Sequence, residues 1–226
     1  MLSVLASMKV ELEGYGGIDR GAEYWSECEL NYTGIGQKNV NQTMNHLELG
    51  SNLEAVVSVG FAGSIDPEID QGDLCIIDTV NSERGEVGFK TDPGLRKRGE
   101  LALGQDLNFC KLLTLEDPVA KPEEKNELAK KKYSIIDQET YWVAKAVEEN
   151  DLPFFAMRVV FDDINTGLPP ASCYGDYGEV RIPNLLAWLV RHPQMILETP
   201  SMLLNSVDAR KKLTDALDRV IPALLR

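Results

Sequence analysis

The chain has 226 residues, a length that fits one α/β unit, and 43% of them are hydrophobic, enough for a sizeable core. Acidic residues outnumber basic ones 36 to 23, and a net charge of −13 argues against nucleic acid or an anionic membrane as a partner, since both repel it. Cys28, Cys75, Cys110 and Cys173 form no C-x-x-C pair and only His46 and His192 supply imidazole, so neither a zinc site nor a disulfide framework is expected.

The N-terminal "MLSVLASMKVELEG" begins with an apolar run but reaches Lys9 and Glu11 too early for a signal-peptide core. No segment has the 18 consecutive apolar residues of a membrane helix, so a soluble, cytoplasmic protein with reduced thiols is expected. "ECELNYTGIG" (27–36) reads as a strand ending in Gly34 and Gly36, and "QKNVNQTMNHLELG" (37–50) as a helix stopped by Gly50. "EAVVSVGFAG" (54–63) and "GDLCIIDTV" (72–80) read as central strands joined by the turn "DPEIDQGD". Residues 81–111 are polar and broken by Gly85, Gly88, Pro93 and Gly94, which predicts a surface excursion.

In "KPEEKNELAKKKYS" (121–134), Glu123 and Glu124 precede a lysine cluster, the charge order that suits a helix, and the charges are expected to meet solvent. A short strand, a helix over about 138–149, a Leu-Pro break and a buried strand ending at Phe161 follow. The tail from Ile182 to Leu225 has helical spacing with interruptions expected at Pro193, Pro200 and Pro222. This alternation of strands and helices defines an α/β sheet protein, with one domain over 1–226.

Ligands of open α/β sheets sit beyond the carboxyl ends of strands, which is where Asp137, Glu139, Asp162 and Asp163 fall. Local chemistry leaves plainer readings open: Asp137 as a helix cap and Glu139 as a solvent-exposed first-turn residue.

Four stretches in order, "LASMKVEL" (5–12), "TGIGQKNV" (33–40), "SVGFAGSIDPEIDQGDLCIID" (58–78) and "DQETYWVAKAVEENDLPFFAMRVVFDD" (137–163), resemble the methylthioadenosine/S-adenosylhomocysteine nucleosidases and the wider purine nucleoside phosphorylase superfamily. The resemblance implies a three-layer domain with a central mixed, twisted sheet flanked by helices. It also implies cleavage of a purine nucleoside with no cofactor or metal, usually in a homodimer. On this resemblance Asp162 is the acid that protonates the leaving base, helped by its neighbour Asp163; Glu139 is the ionised carboxylate that binds the ribose hydroxyls; and Glu11 positions the attacking water. Gln138, Ala62 and Gly63 would line the pocket, and Phe61, Phe161 and Val119 would face the base or belong to the core.

Several positions depart from the family pattern. The arginines that hold phosphate in the phosphorylases are missing, since the first turn reads "ASMKVEL" and Ser58 precedes "VGFAG", which favours water as the nucleophile. Lys9, Lys38 and Arg158 are left as substitutes, so phosphorolysis stays open, as does a non-catalytic binding or storage relative. Gln138 stands where the family has methionine, and Phe61 and Phe161 replace smaller residues. "LLTLEDPVAKPEEKNELAKKKYSIIDQET" and "RVVFDDINTGLPPA" also resemble the hopanoid-associated phosphorylase branch, and futalosine hydrolases share the scaffold, so the 5′ substituent of the nucleoside is left undetermined.

Overall fold

A computed structural model describes residues 1–13, 23–47, 52–104, 107–119, 121–192 and 199–226. In chain order its elements are β1 (Leu2–Ala6), α1 (Lys9–Leu12), β2 (Cys28–Tyr32), α2 (Gly36–His46), β3 (Ala55–Ser64), β4 (Leu74–Ser82), β5 (Phe89–Lys90) and α3 (Pro93–Leu103). They continue with β6 (Asn108–Thr114), α4 (Pro122–Ala129), β7 (Ile135–Asp137), α5 (Thr140–Glu148), β8 (Phe154–Asp162), α6 (Ile182–Arg191) and α7 (Thr199–Leu224).

The near-continuous apolar runs of β3 and β8 make them buried on both faces, and they pair in parallel at the centre of a mixed sheet. β1 and β2 extend the sheet on one side of β3. On the other, the pairing closes on itself, from β3 through β8, β4, β6 and β7 back to β3. The short β7 closes this ring through two residue pairs, Gly63 with Ile136 and Ser64 with Ile135. The acids next to β7 are thereby brought against the end of β3.

Alternation along the strands separates two cores. Val57, Val59, Phe155, Met157 and Val159 pack with Leu213, Leu217 and Val220 of α7. Val56, Ala62, Ala156 and Val160 pack on the other face with Val40 of α2 and with Trp142 and Val143 of α5. Each such fully buried aliphatic side chain stabilises the fold by about 1.5–3 kcal/mol.

Of the excursion expected over 81–111, residues 83–88 are an exposed loop, but β5, α3 and the start of β6 follow it. Asp92 caps α3 by accepting from the Leu95 amide at 2.8 Å, Pro93 opens the helix, and Leu95 and Leu103 join the α7-side core. Pro93 and Gly94, read from the sequence as breaks, stand in the first turn of this helix. Helix α2 ends at His46; Gly50, its expected stop, and Pro193 lie outside the described residues. Pro200 and Pro222 both lie within α7, so neither interrupts it. Among the described residues no helix is long and apolar enough to cross a membrane.

Candidate active site

Glu11 is the first buried carboxylate. The turn after β1 carries it into the protein on α1, where it has no solvent exposure. One oxygen accepts from the Phe61 amide of β3 at 2.8 Å, and the other from the Met8 amide at 2.8 Å and the Ser7 hydroxyl at 3.2 Å. A side chain at Gly60 would put a Cβ 2.5 Å from Glu11 Oε1, so only glycine allows this approach. Burial raises the Glu11 pKa, opposed by the two amides, by Arg158 and by Ser7.

Glu139 is buried at the β7–α5 junction rather than exposed on the first turn of a helix. Its Oε1 accepts from the Gly36 amide at 2.9 Å, so the positive end of α2 points at the carboxyl. Gly36 holds φ = +81°, the left-handed conformation that glycine adopts freely. Burial, then the neighbouring charge of Asp137, raises the pKa of Glu139 to about 8; Gly36 and Arg158 oppose this and Glu11 adds to it. Its surroundings therefore favour the protonated form, whereas the family resemblance implies an ionised group. Desolvation between two other acids is the reason.

Asp137 has the structural role. It accepts from the Thr140 amide at the start of α5, from the Thr114 hydroxyl at 2.7 Å, and from Arg158 Nη2 at 3.2 Å. Arg158 also donates to the Ser58 hydroxyl at 2.9 Å, to Thr140 and to the Met157 carbonyl. This ion pair is buried on the sheet face that carries α2 and α5, and it commits the guanidinium to Asp137. Lys9 and Lys38, the other substitutes for the missing arginines, are exposed.

Asp162 ends β8 and is 4% exposed. A register shift between Ala62 and Gly63 brings it level with Gly63, whose missing side chain would stand 3.0 Å from Asp162 Oδ2. Its partner comes from outside the expected set: Lys125, with no solvent exposure, donates to Asp162 Oδ2 and to the Asp163 carbonyl. The charge run of 121–134 therefore does not all meet solvent. Lys125 lies one helical turn before Leu128, which packs beside Ile65, Leu113 and Ile136, and that i, i+3 spacing to the inward-facing leucine was the available signal. Burial raises the Asp162 pKa to about 6, Lys125 opposes the shift, and Asp163 contributes last. Asp163 itself caps the following turn through the Asn165 amide and the Thr166 hydroxyl.

Glu11 and Asp162 are thus both held against β3. Glu11 is held at Phe61 and Asp162 beside Gly63, anchor points about 7 Å apart along a strand. Glu139 is close enough for the charge of Glu11 to raise its pKa. Gln138 bridges from its side-chain amide to the Glu116 carbonyl at 3.2 Å, and Val119 packs in the small cluster with Ile65 and Leu113. Ala62 is buried on the α5 side. The rings of Phe61 and Phe161 stack on each other, centroids 5.6 Å apart, and pack against the α7-side core; what Phe61 offers Glu11 is its amide. A separate cavity of about 670 Å³ between β2 and α2, lined by Glu29, Asn31, Thr43 and His46 among others, includes none of the three acids.

This architecture and its strand-end carboxylates define a mixed α/β protein with the nucleoside phosphorylase fold. The chain belongs to the phosphorylase superfamily, whose family profile matches residues 29–173. No curated protein sequence gives a significant match. Among solved structures, the 5′-methylthioadenosine/S-adenosylhomocysteine nucleosidase of Neisseria meningitidis, in complex with methylthio-immucillin-A, superposes with a TM-score of 0.69 at 13% identity, covering 99% of this chain and 97% of its own. The corresponding nucleosidase of Campylobacter jejuni gives 0.66 at 14%, covering 95% and 97%, and the futalosine hydrolase of Helicobacter pylori 0.65 at 14%, covering 96% and 97%.

Proposed function

We propose that this protein hydrolyses the N-glycosidic bond of a purine nucleoside, with a 5′-modified adenosine as the substrate class. The observation that supports the reading is the burial of three acids from separate parts of the chain, Glu11 and Asp162 against β3 and Glu139 at the start of α5 facing the Gly36 amide. Buried carboxyls whose pKa values move toward neutrality suit proton transfer near pH 7 better than they suit stability.

Each acid then has a part. Asp162, with a pKa of about 6, donates its proton to N7 of the purine, so the base leaves as a neutral molecule while positive charge builds on the sugar. Glu139 holds the ribose hydroxyls, donating to one and accepting from the other while protonated. Glu11 accepts the proton of the water that adds to the anomeric carbon. Water is the better nucleophile for this site because the two buried cations among the described residues, Lys125 and Arg158, are paired with acids, and buried Glu11 would repel a phosphate dianion. The likeness to nucleosidases and a futalosine hydrolase supports the same reaction class.

A panel of adenosine and inosine nucleosides with varied 5′ groups, followed by chromatography for free base, tests the proposal. Base and free ribose derivative are expected in phosphate-free buffer. Release that depends on added phosphate would replace hydrolysis by phosphorolysis, and no release from any nucleoside would leave a binding protein.

A further inference from the structure

We infer that Lys125 is the positioning residue of the base-side acid: it clamps the Asp162 carboxyl beside Gly63. The inference rests on the hydrolytic reading above and extends it to a residue on another element. Burying an ammonium is costly unless it is paired and hydrogen-bonded, and α4 buries this single charge while its other acidic and basic side chains are at least partly exposed. The ammonium is spent on the acid itself. Two of its three donors go to Asp162 Oδ2 and to the carbonyl of Asp163, a geometry that fixes both the carboxyl and the backbone carrying it.

The charged and titratable groups around Asp162 are Lys125 on α4, Asp163 on its own strand exit, and Tyr174, whose pKa the charge of Asp162 helps to raise. Of these, Lys125 alone is cationic and so can hold the carboxylate that forms when the proton leaves. The step balances as follows. The bond between C1′ and N9 breaks with both electrons passing to the base, and N7 takes the proton of Asp162. The carboxylate left behind stays paired with the Lys125 ammonium. Water bonds to C1′ and yields its proton to Glu11; solvent then reprotonates Asp162 and removes the proton from Glu11. One water is consumed and no other reagent is needed.

The test compares Lys125→Arg and Lys125→Met with the unmodified protein on a purine nucleoside and on p-nitrophenyl riboside, whose leaving group needs no proton. Methionine removes the clamp, so purine cleavage should fall by about 10²–10⁴-fold in Lys125→Met, and arginine, which keeps the cation and the pair, should restore part of it. Cleavage of the nitrophenyl riboside should change little. In Lys125→Met the alkaline limb of the purine rate profile should also move to higher pH, because burial of Asp162 is no longer opposed by a cation. Equal losses on both substrates would make Lys125 merely structural and overturn the inference, as would full purine activity in Lys125→Met. If methionine prevents folding, Lys125→Arg carries the test through the same comparison of the two substrates, a loss confined to the purine supporting the inference and equal losses overturning it. If the nitrophenyl riboside is not a substrate, the alkaline limb of purine cleavage in Lys125→Met decides: a limb at higher pH supports the inference and an unmoved limb overturns it. A protein that releases no base even unmodified contradicts the hydrolytic reading instead, so the two failures are distinct.

Discussion

Replacing Glu139 by glutamine should make the ligand-free protein more stable, and increasingly so as pH rises. The folded pKa of Glu139 is about 8 against an ordinary value of 4.5, so folding holds a proton that the unfolded chain releases. The sign follows from linkage: stability associated with this group is full below pH 4.5 and is lost as pH climbs toward 8. At about 1.4 kcal/mol per unit the gap sets a ceiling of roughly 5 kcal/mol, and relaxation around the carboxyl reduces this to about 2–4 kcal/mol between pH 5 and pH 9. Glutamine has the same shape and no titration. Urea unfolding of both proteins at pH 5, 7 and 9 measures the difference, and the advantage of Glu139→Gln should grow by about 2–4 kcal/mol over that range. A constant difference at all three pH values would refute the reasoning, because it would mean that Glu139 is solvated and ionised throughout. The same variant should lose nucleoside affinity and rate together, since the ribose contact strengthens as charge develops.

The other expectations concern the two remaining acids and the network beneath them. Asp162→Asn keeps the shape but removes the proton donor, and should lower purine release by about 10²–10⁴-fold in steady-state assays while circular dichroism is unchanged. Gly60→Ala puts a methyl group against Glu11 Oε1, and should cost about 1–3 kcal/mol in urea unfolding together with most of the activity. Arg158→Met strands Asp137 as a buried charge without its partner and should destabilise the fold by about 3–5 kcal/mol, whatever the substrate.

The strands were readable because burial on both faces leaves a plain mark: "AVVSVGFAG" and "FFAMRVVF" contain little else but apolar residues, and the structure has them paired at the centre. The acids were readable as strand-end residues, but their surroundings were not. Nothing in the local pattern of residues 135–140 says that the chain closes back on β3 and encloses Glu139, since that pairing is set by contacts far away in sequence. The same holds for Asp137 and Arg158, which are separated by a whole helix and a turn yet form one ion pair. Lys125 was hidden by its company, because a lysine among lysines and glutamates looks solvated until the face it shares with Leu128 is considered. Helix α3 was missed because Asp92-Pro93 serves equally well as a turn and as a helix start, and the apolar contacts of Leu95 and Leu103 that decide between them lie on α7.

The central claim is that Glu11, Glu139 and Asp162 enclose a single nucleoside. A crystal structure of Asp162→Asn with adenosine bound tests it most directly. The account predicts both ribose hydroxyls within hydrogen-bonding distance of Glu139, the purine N7 facing residue 162, and a water between Glu11 and the anomeric carbon. Nucleoside found instead in the cavity between β2 and α2, with the three acids unoccupied, would contradict it.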